Sequence, residues 1–251
     1  MTNLSFVENQ LGFFDEFCEL HSRVKGLHNS ISELQPVAIV KDNKYFLFVP
    51  QNGKYEFITE HPTPFSIDFE IYAAFPLDFY QNEIAAIVTE NALRNEKNHV
   101  VVLHEFVHCF QWNTCEQNIR SSLTIEQEQM SMGAYDWEIN YSFPYEDDLF
   151  VSMTEKLCRT NKFADYHKKL HKHLKKTDFE YLIWQEWKEG FARYIENLIR
   201  ANLGVELDYI ALSRPFDRVS LYEIGSRHIA SLIKEDNSLS NDLQKLFCAM
   251  V

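Results

Sequence analysis

Apolar and polar residues are arranged along the N-terminal part of the chain in a way that predicts a helix followed by a small sheet. Residues 3–33 have a helical pattern. The apolar runs 37–40 and 45–49 flank Asp42-Asn43, a turn signal, so they are expected to form a β-hairpin. Two further strands are expected at residues 55–59 and 65–75.

The remainder of the chain is expected to contain one more strand and then mostly helices. Residues 84–92 are apolar and β-prone, and residues 98–115 suit a buried helix. The chain is helix-rich from residue 124 to its end. Within that part, Asp178 can cap the start of a long helix and Gly204 is a natural stop for it.

These elements indicate an α+β fold in two packed subdomains. Residues 1–116 would form a small mixed sheet packed on the helix over residues 98–115, and residues 117–251 a helix-rich subdomain. The chain has 251 residues, of which 45% are hydrophobic, including 20 Phe and 12 Tyr. That composition is typical of a folded protein with a sizeable core, here one catalytic unit overall.

The net charge of −13 argues against two classes of binding partner. Nucleic acids and anionic membranes need basic protein surfaces, so neither is an expected partner. The chain start shows no secretory signal, and no stretch is long and apolar enough to span a bilayer. The five cysteines form no CxxC pair and are expected to be free thiols in a reducing compartment, the cytoplasm.

The pentapeptide His104-Glu105-Phe106-Val107-His108, which reads HExxH, is the most informative motif. On a helix, His104 and His108 share one face, so both imidazoles can bind one metal ion, while Glu105 can reach a metal-bound water. Zinc at such a site lowers the pKa of the water and polarises the carbonyl under attack. Glu105 is then the expected general base and later the proton donor to the leaving amine.

A second motif lies downstream, where residues 188–196 read K-E-G-F-A-R-Y-I-E. Together with HExxH, this run resembles the gluzincin metallopeptidases, whose zinc aminopeptidases carry N-E-G-F-A on a second helix. The resemblance implies a thermolysin-like catalytic domain, Zn²⁺ as the cofactor and Glu189 as the third zinc ligand. A catalytic zinc with three protein ligands and one open position agrees with that assignment. Gly190 beside the ligand would let another backbone approach closely.

The chain also departs from that family. In the aminopeptidases the third ligand follows HExxH closely, whereas 80 residues (109 to 188) separate His108 from Glu189 here. Arg193 stands where the thermolysin-like pattern has an acid that supports a zinc-binding His. That role could pass to Glu196, to Glu186 or to neither. The alternative for these acids is an exposed salt-bridge ladder along one helix face.

Two further segments of the sequence resemble segments of the gluzincin family. Glu90-Asn91, at the end of the apolar run 84–92, resembles the G-A-M-E-N strand end whose Glu holds the substrate amino terminus. That run is the best match to the edge strand on which gluzincin substrates pair by β-augmentation. Downstream, residues 220–233 have an amphipathic helical pattern, and Tyr222 is favoured over His228 as the group that stabilises the oxyanion.

His167, His171 and His173 lie in a Lys-rich run that imitates a metal site. His167 and His171 have ligand spacing, but no carboxylate base stands between them and the neighbouring lysines repel cations. The run is interpreted as a solvated helix face, and as a basic patch that could bind an acidic partner.

The expected function is therefore that of a zinc-dependent metallopeptidase acting on a peptide or protein substrate. Its metal ligands are His104, His108 and Glu189, and its catalytic groups are Glu105 and Tyr222. One alternative is a zinc hydrolase of a non-peptide amide or ester. Another is a binding or regulatory protein that keeps the gluzincin fold with weak or absent turnover. The substrate, the exo or endo mode and the oligomeric state are not indicated by the residues.

Overall fold

A computed structural model describes residues 3–67, 70–207 and 212–251 of the chain. The fold is α+β, and the chain divides into two compact units. The first unit comprises Met1–Thr114 with Ile195–Glu206, and the second comprises Cys115–Tyr194 with Leu207–Val251.

The N-terminal helix is shorter than its sequence pattern predicts. Helix α1 spans Asn3–Val24, and a 3-10 turn follows at Asn29–Ile31. The buried face of α1 recurs every three or four residues, through Phe6, Val7, Gln10, Phe14, Phe17, Leu20, His21 and Val24. The prediction of a helix to residue 33 was wrong because the His28 ring accepts a hydrogen bond from the Ser30 amide and starts the separate 3-10 turn.

A five-stranded mixed sheet forms the centre of the first unit, in the order β3-β2-β1-β5-β4. The strands are β1 (Val37–Lys41), β2 (Lys44–Gln51), β3 (Lys54–Pro62), β4 (Tyr72–Leu77) and β5 (Glu83–Thr89). The predicted hairpin is confirmed, because β1 and β2 pair antiparallel across Asp42 and Asn43, both with positive φ. The predicted third strand is also confirmed, and it follows an Asn52-Gly53 turn.

The fourth strand begins later than predicted. Residues 68–69 lie outside the described residues, and the segment just before them is not a strand. Its Ile67 amide donates to the Asn43 side chain at 3.1 Å instead of joining the ladder. Strand β4 starts only at Tyr72 and pairs antiparallel with β5.

Strand β5 is an interior strand, which corrects its assignment as the edge of the sheet. It pairs parallel with β1 on one side and antiparallel with β4 on the other, and five of its seven residues are buried. A continuous apolar run is typical of a strand covered on both faces. The edges of the sheet are therefore β3 and β4.

Helix α2 (Glu96–Gln111) carries the HExxH motif and contacts β4 and β5. The Asn95 side chain caps its start by accepting from the Asn98 amide at 3.0 Å. A π-helical segment, Trp112–Glu116, continues the chain beyond α2. The prediction of a buried helix over residues 98–115 is thereby confirmed in its main part.

The second unit is built from helices in the described residues. They are α3 (Gln117–Ser122), α4 (Thr124–Ser131), α5 (Trp137–Asn140), α6 (Asp148–Thr160), α7 (Phe163–His173), α8 (Lys176–Leu203), α9 (Arg218–Glu235) and α10 (Leu243–Met250). Helix α8 contributes its residues up to Tyr194 to this unit and the later ones to the first unit. The helix-rich C-terminal part is thus confirmed.

The ends of α8 test two predictions. Gly204 follows the last helical residue with φ +70°, so the predicted stop is confirmed. Asp178 is not the cap, because α8 already begins at Lys176. The Asp178 carboxylate instead accepts a hydrogen bond from the Tyr141 hydroxyl at 2.6 Å and is buried. A local capping signal was outweighed by this long-range partner.

Two glycines set the packing of α8 against α9 within the second unit. A Cβ built on Gly190 would lie 2.7 Å from the Gly225 Cα. One built on Gly225 would lie 2.6 Å from the Glu186 Cα and closer still to the Glu186 carbonyl oxygen. The predicted close approach at Gly190 is confirmed, and its partner is the Gly225 backbone. Side chains at these positions would force the helices apart.

Two expectations from the sequence concern membrane-spanning helices and the state of the cysteines. None of the helices in the described ranges combines the length and apolar content that crossing a bilayer requires. The five cysteines are all free thiols, as predicted.

Candidate metal centre

Both histidines of the HExxH motif are largely buried on one side of α2, with ring centroids 4.9 Å apart. Each uses its Nδ1 in a hydrogen bond. His104 Nδ1 lies 3.1 Å from Glu196 Oε2, and His108 Nδ1 lies 2.8 Å from Gln111 Oε1. Carboxylate and amide oxygens accept, so each Nδ1 is the donor and carries the proton. The lone pair of each ring is therefore on Nε2, the nitrogen that would bind a metal.

Glu196 is held as a buried carboxylate by two different partners. Its Oε2 accepts from His104, and its Oε1 accepts from Arg200 Nε at 2.9 Å and Nη2 at 2.8 Å. The Arg200 charge offsets the cost of burying the carboxylate. Of the acids considered for supporting a zinc-binding His, Glu196 is the one that contacts His104.

Glu105 lies between the two histidines in sequence and is buried. Burial raises the pKa of the Tyr72 hydroxyl on β4, the nearby Glu70 carboxylate raises it further, and Glu105 adds a smaller contribution. The Glu105 carboxylate is thus close enough to the edge strand β4 to act on it electrostatically. This proximity follows from the packing of α2 across β4.

Glu189 lies on α8 and is partly exposed. It precedes Glu196 by seven residues on one continuous helix, and seven residues complete two turns to within about 20°. Glu189 therefore points to the same side of α8 as the acid that contacts His104. Seven residues correspond to about 10 Å of rise along the helix axis.

The residue before Glu189 is Lys188, where the aminopeptidase run N-E-G-F-A has Asn, and it lies in a buried cluster of charges. Lys188 Nζ lies 2.7 Å from Glu116 Oε1 and 2.7 Å from Glu138 Oε2, within the second unit. Burial lowers the pKa of Lys188, but the charges of Glu138 and Glu116 outweigh it and raise the pKa above the usual range. This buried cluster ties α8 to two neighbouring segments at the position next to Glu189.

The other acids of α8 are not an exposed ladder. Glu186 and Glu196 are both buried, which contradicts that alternative for these two residues. Glu186 contacts His167 Nε2 at 2.7 Å and belongs to the second unit. It therefore does not take the role of supporting His104.

Tyr222 and His228 lie on α9, in the second unit. Tyr222 is partly exposed, and the Arg218 guanidinium lies 5.8 Å from its ring centroid. His228 is buried and stacks on Phe163 at 4.9 Å between ring centroids. The predicted amphipathic helix over residues 220–233 is confirmed, and its start is fixed by a capping box at Asp217.

The structure corrects the interpretation of His167. His171 and His173 are exposed, as expected of a solvated face, but His167 is buried. It belongs to the buried face of α7, which comprises Phe163, Tyr166, His167 and Leu170. The surrounding lysines favour a solvated face, whereas the apolar spacing of three and four places His167 on the inner side of the helix.

Gln111 and Arg200 were not predicted from the sequence. Gln111 follows His108 by three residues and Arg200 follows Glu196 by four, so each pair shares a helix face. That spacing was a usable signal for both contacts. Glu90, considered for the substrate amino terminus, pairs with Lys41 Nζ at 2.7 Å.

Comparison of the chain with protein-family models, with curated proteins and with solved structures gave no match. The resemblance to gluzincins accordingly rests on the motif residues alone.

Proposed function

We propose that this protein is a zinc-dependent hydrolase, most simply a metallopeptidase, with His104, His108 and Glu189 as its zinc ligands. The observation that carries the proposal is the pair of Nδ1 hydrogen bonds made by His104 and His108. They hold both imidazoles in the tautomer that presents Nε2 lone pairs from one side of α2. Two neutral imidazoles and one carboxylate are a donor set that suits zinc.

The position of Glu189 supports its place in that set. Glu196 contacts His104, and Glu189 lies two turns earlier on the same side of the same helix. The ion pairs of Lys188 restrain α8 beside Glu189, which favours a fixed carboxylate over a mobile one. A partly exposed ligand is also compatible with an open position for substrate.

Zinc bound there would supply a Lewis acid for the scissile carbonyl and lower the pKa of a coordinated water. Glu105 is the proposed base, which takes a proton from the attacking water on its carboxylate and passes it to the leaving nitrogen. Glu196 keeps His104 oriented through Nδ1, and the Arg200 guanidinium holds the Glu196 carboxylate in place. Tyr222 is the proposed hydroxyl donor to the developing oxyanion.

The metal assignment is tested by His108→Ala, which we expect to lose one equivalent of zinc per chain relative to the parent. The variant removes one of the proposed ligands and leaves a single histidine of the motif on α2, so the affinity of the site should collapse. Zinc is measured by mass spectrometry of the purified protein after dialysis against a chelator and reloading.

The matched control for this variant is His99→Gln, also on α2. His99 is buried and contacts the Leu93 carbonyl oxygen at 2.8 Å, so its loss should affect stability but not zinc content. If His108→Ala and the parent contained equal zinc, the assignment of this site would be wrong.

The roles of the α8 acids predict a ranking of metal affinity. Glu189→Ala should reduce zinc affinity most, because it removes a ligand. Glu196→Ala should reduce affinity or activity by about 10–100-fold, because it acts only through His104. Zinc dissociation constants from competition with a chromogenic chelator measure both effects. A weaker effect of Glu189→Ala than of Glu196→Ala would reverse the ligand assignment.

Digestion of a broad peptide library separates the proposed peptidase from its alternatives. Cleavage that depends on zinc supports the peptidase. A zinc-loaded protein that cleaves no peptides but hydrolyses small amides or esters would support the alternative of a non-peptide zinc hydrolase. A zinc-loaded protein without any turnover would support the alternative of a binding protein.

A further inference from the structure

Three helices of the second unit bring together His167 on α7, Glu186 on α8 and His228 on α9. One ligand atom from each residue lies within 4.8 Å of the other two. His167 Nε2 is 2.7 Å from Glu186 Oε2, and His228 Nδ1 is 3.9 Å from the same oxygen. The two imidazole centroids are 4.5 Å apart.

The helix packing explains why these side chains meet. Gly225 brings α9 onto the backbone of Glu186, since a Cβ there would lie 2.6 Å from the Glu186 Cα. His228 follows Gly225 by three residues, so it lies about one turn further along α9 on the same side. Stacking on Phe163 then fixes the plane of its ring.

The cluster contains buried polar atoms that form no hydrogen bond with the described residues. Glu186 is fully buried, and His167 and His228 are each 6% exposed. Glu186 Oε1 and His228 Nδ1 have no hydrogen-bond partner among the described residues. A buried carboxylate or imidazole atom left unsatisfied is costly, and a cation bound by the Glu186 carboxylate and His228 Nδ1 would reduce that cost.

We propose that His167, Glu186 and His228 form a second metal site, which takes a divalent transition ion of the zinc class and stabilises the second unit. This site is independent of the proposed hydrolase site. It shares no residue with HExxH or Glu189. All three of its ligands are buried, which leaves the fourth position of a tetrahedral ion to a water. Substrate access is not required of it.

The donor set and geometry favour zinc over harder cations. Two imidazoles and one carboxylate suit zinc and its neighbours, whereas magnesium and calcium prefer oxygen ligands. Zinc at about 2.0–2.2 Å from each ligand separates tetrahedral ligand atoms by about 3.3–3.6 Å. The observed 2.7 Å and 3.9 Å separations bracket that value. The shorter one is a hydrogen bond that His167 Nε2 donates to Glu186 Oε2, so the ion would replace the Nε2 proton, which moves to Nδ1 or to solvent.

A cavity beside the cluster provides a route from solvent. It has a volume of about 420 Å³ and is lined in part by Phe163, Asp165, His228, Ser231 and Glu235. The lining carries charges of both signs, because Lys162 lies with Asp165 and Glu235, and Asp165 is paired with Lys156 and Lys169.

The test uses the full chain with the first site removed, as His104→Ala/His108→Ala. After loading with Zn²⁺ and removal of excess ion by gel filtration, this variant should retain about one zinc per chain. Adding His228→Gln to it should reduce the zinc content to near zero. His171→Gln, an exposed histidine on the same helix as His167, is the matched control and should leave the zinc content unchanged.

The outcomes separate the two sites. A folded His104→Ala/His108→Ala protein without zinc overturns the second site, and this result does not depend on whether the His228 variant folds. Zinc lost from the parent by His228→Gln alone, but not by His108→Ala, supports the second site and contradicts the first. Cobalt substitution gives an independent readout, because absorption bands of tetrahedral Co²⁺ should appear in the double variant and vanish with His228→Gln.

Discussion

Replacing Glu105 by Gln should lower peptide hydrolysis by roughly 100-fold or more while zinc remains bound. Glutamine keeps the shape of the side chain and a hydrogen-bonding oxygen, but it cannot accept the proton of the attacking water. The ligands His104 and His108 are untouched by the change, so the zinc content should equal that of the parent. Hydrolysis is measured on a peptide library, and zinc on the same preparation.

Glu96→Gln is the matched control for this variant. Glu96 also lies on α2, in its exposed first turn, where its carboxylate is 3.4 Å from Arg23 and 48% exposed. An exposed ion pair contributes little, so hydrolysis and stability should both be close to those of the parent. If Glu105→Gln turned over substrate like the parent, Glu105 would not be the base. If the zinc-loaded parent hydrolysed nothing, the alternative of a binding protein would gain support.

Gly225→Ala should destabilise the folded protein by about 3 kcal/mol or more, the upper end of the cost of overpacking. The new Cβ would lie 2.6 Å from the Glu186 Cα and closer still to the carbonyl oxygen, and these atoms belong to helix backbone, which cannot rotate away. Helices α8 and α9 would have to separate. The change also moves Glu186 relative to His228, so zinc in the second site should be lost with it.

Chemical denaturation of the full chain measures this effect, and Gly12→Ala is the matched control. Gly12 lies in α1, and a Cβ added there would meet no atom within 4 Å, so alanine should stabilise the protein by about 0.5–1 kcal/mol. Gly190→Ala, where the closest approach is 2.7 Å, should destabilise, but less than Gly225→Ala. A neutral Gly225→Ala would show that α8 and α9 are not held in this close packing.

Much of the local structure was predictable because it depends on neighbours in sequence. Asp42-Asn43 adopts the positive φ angles that a tight hairpin needs, and Gly204 ends α8 with φ +70°. The HExxH helix forms where the apolar run indicates. The hydrogen bond between His108 and Gln111 also lies within one helix, at a spacing of three residues.

Positions that depend on distant partners were harder to predict. The resemblance to gluzincins implied an edge strand at residues 84–92, but β4 pairs with the outer side of β5. The lysines around His167 indicate a solvated face, but this residue is buried against Glu186, 19 residues away. Asp178 has the position of a helix cap, but it binds the Tyr141 hydroxyl. In each case burial or a partner from another element overrides the local signal.

Most of the α+β elements, the HExxH motif and the glycine that permits close helix packing can be identified from the amino-acid sequence alone. Hydrophobic period, turn residues and i, i+4 spacing are local properties of the backbone, so they can be read in order along the chain. The contact of Glu196 with His104, 92 positions away, and the contacts of Glu186 with His167 and His228 become visible only in the folded protein. These contacts form where separate helices pack closely enough to exclude water, and no local pattern encodes that packing.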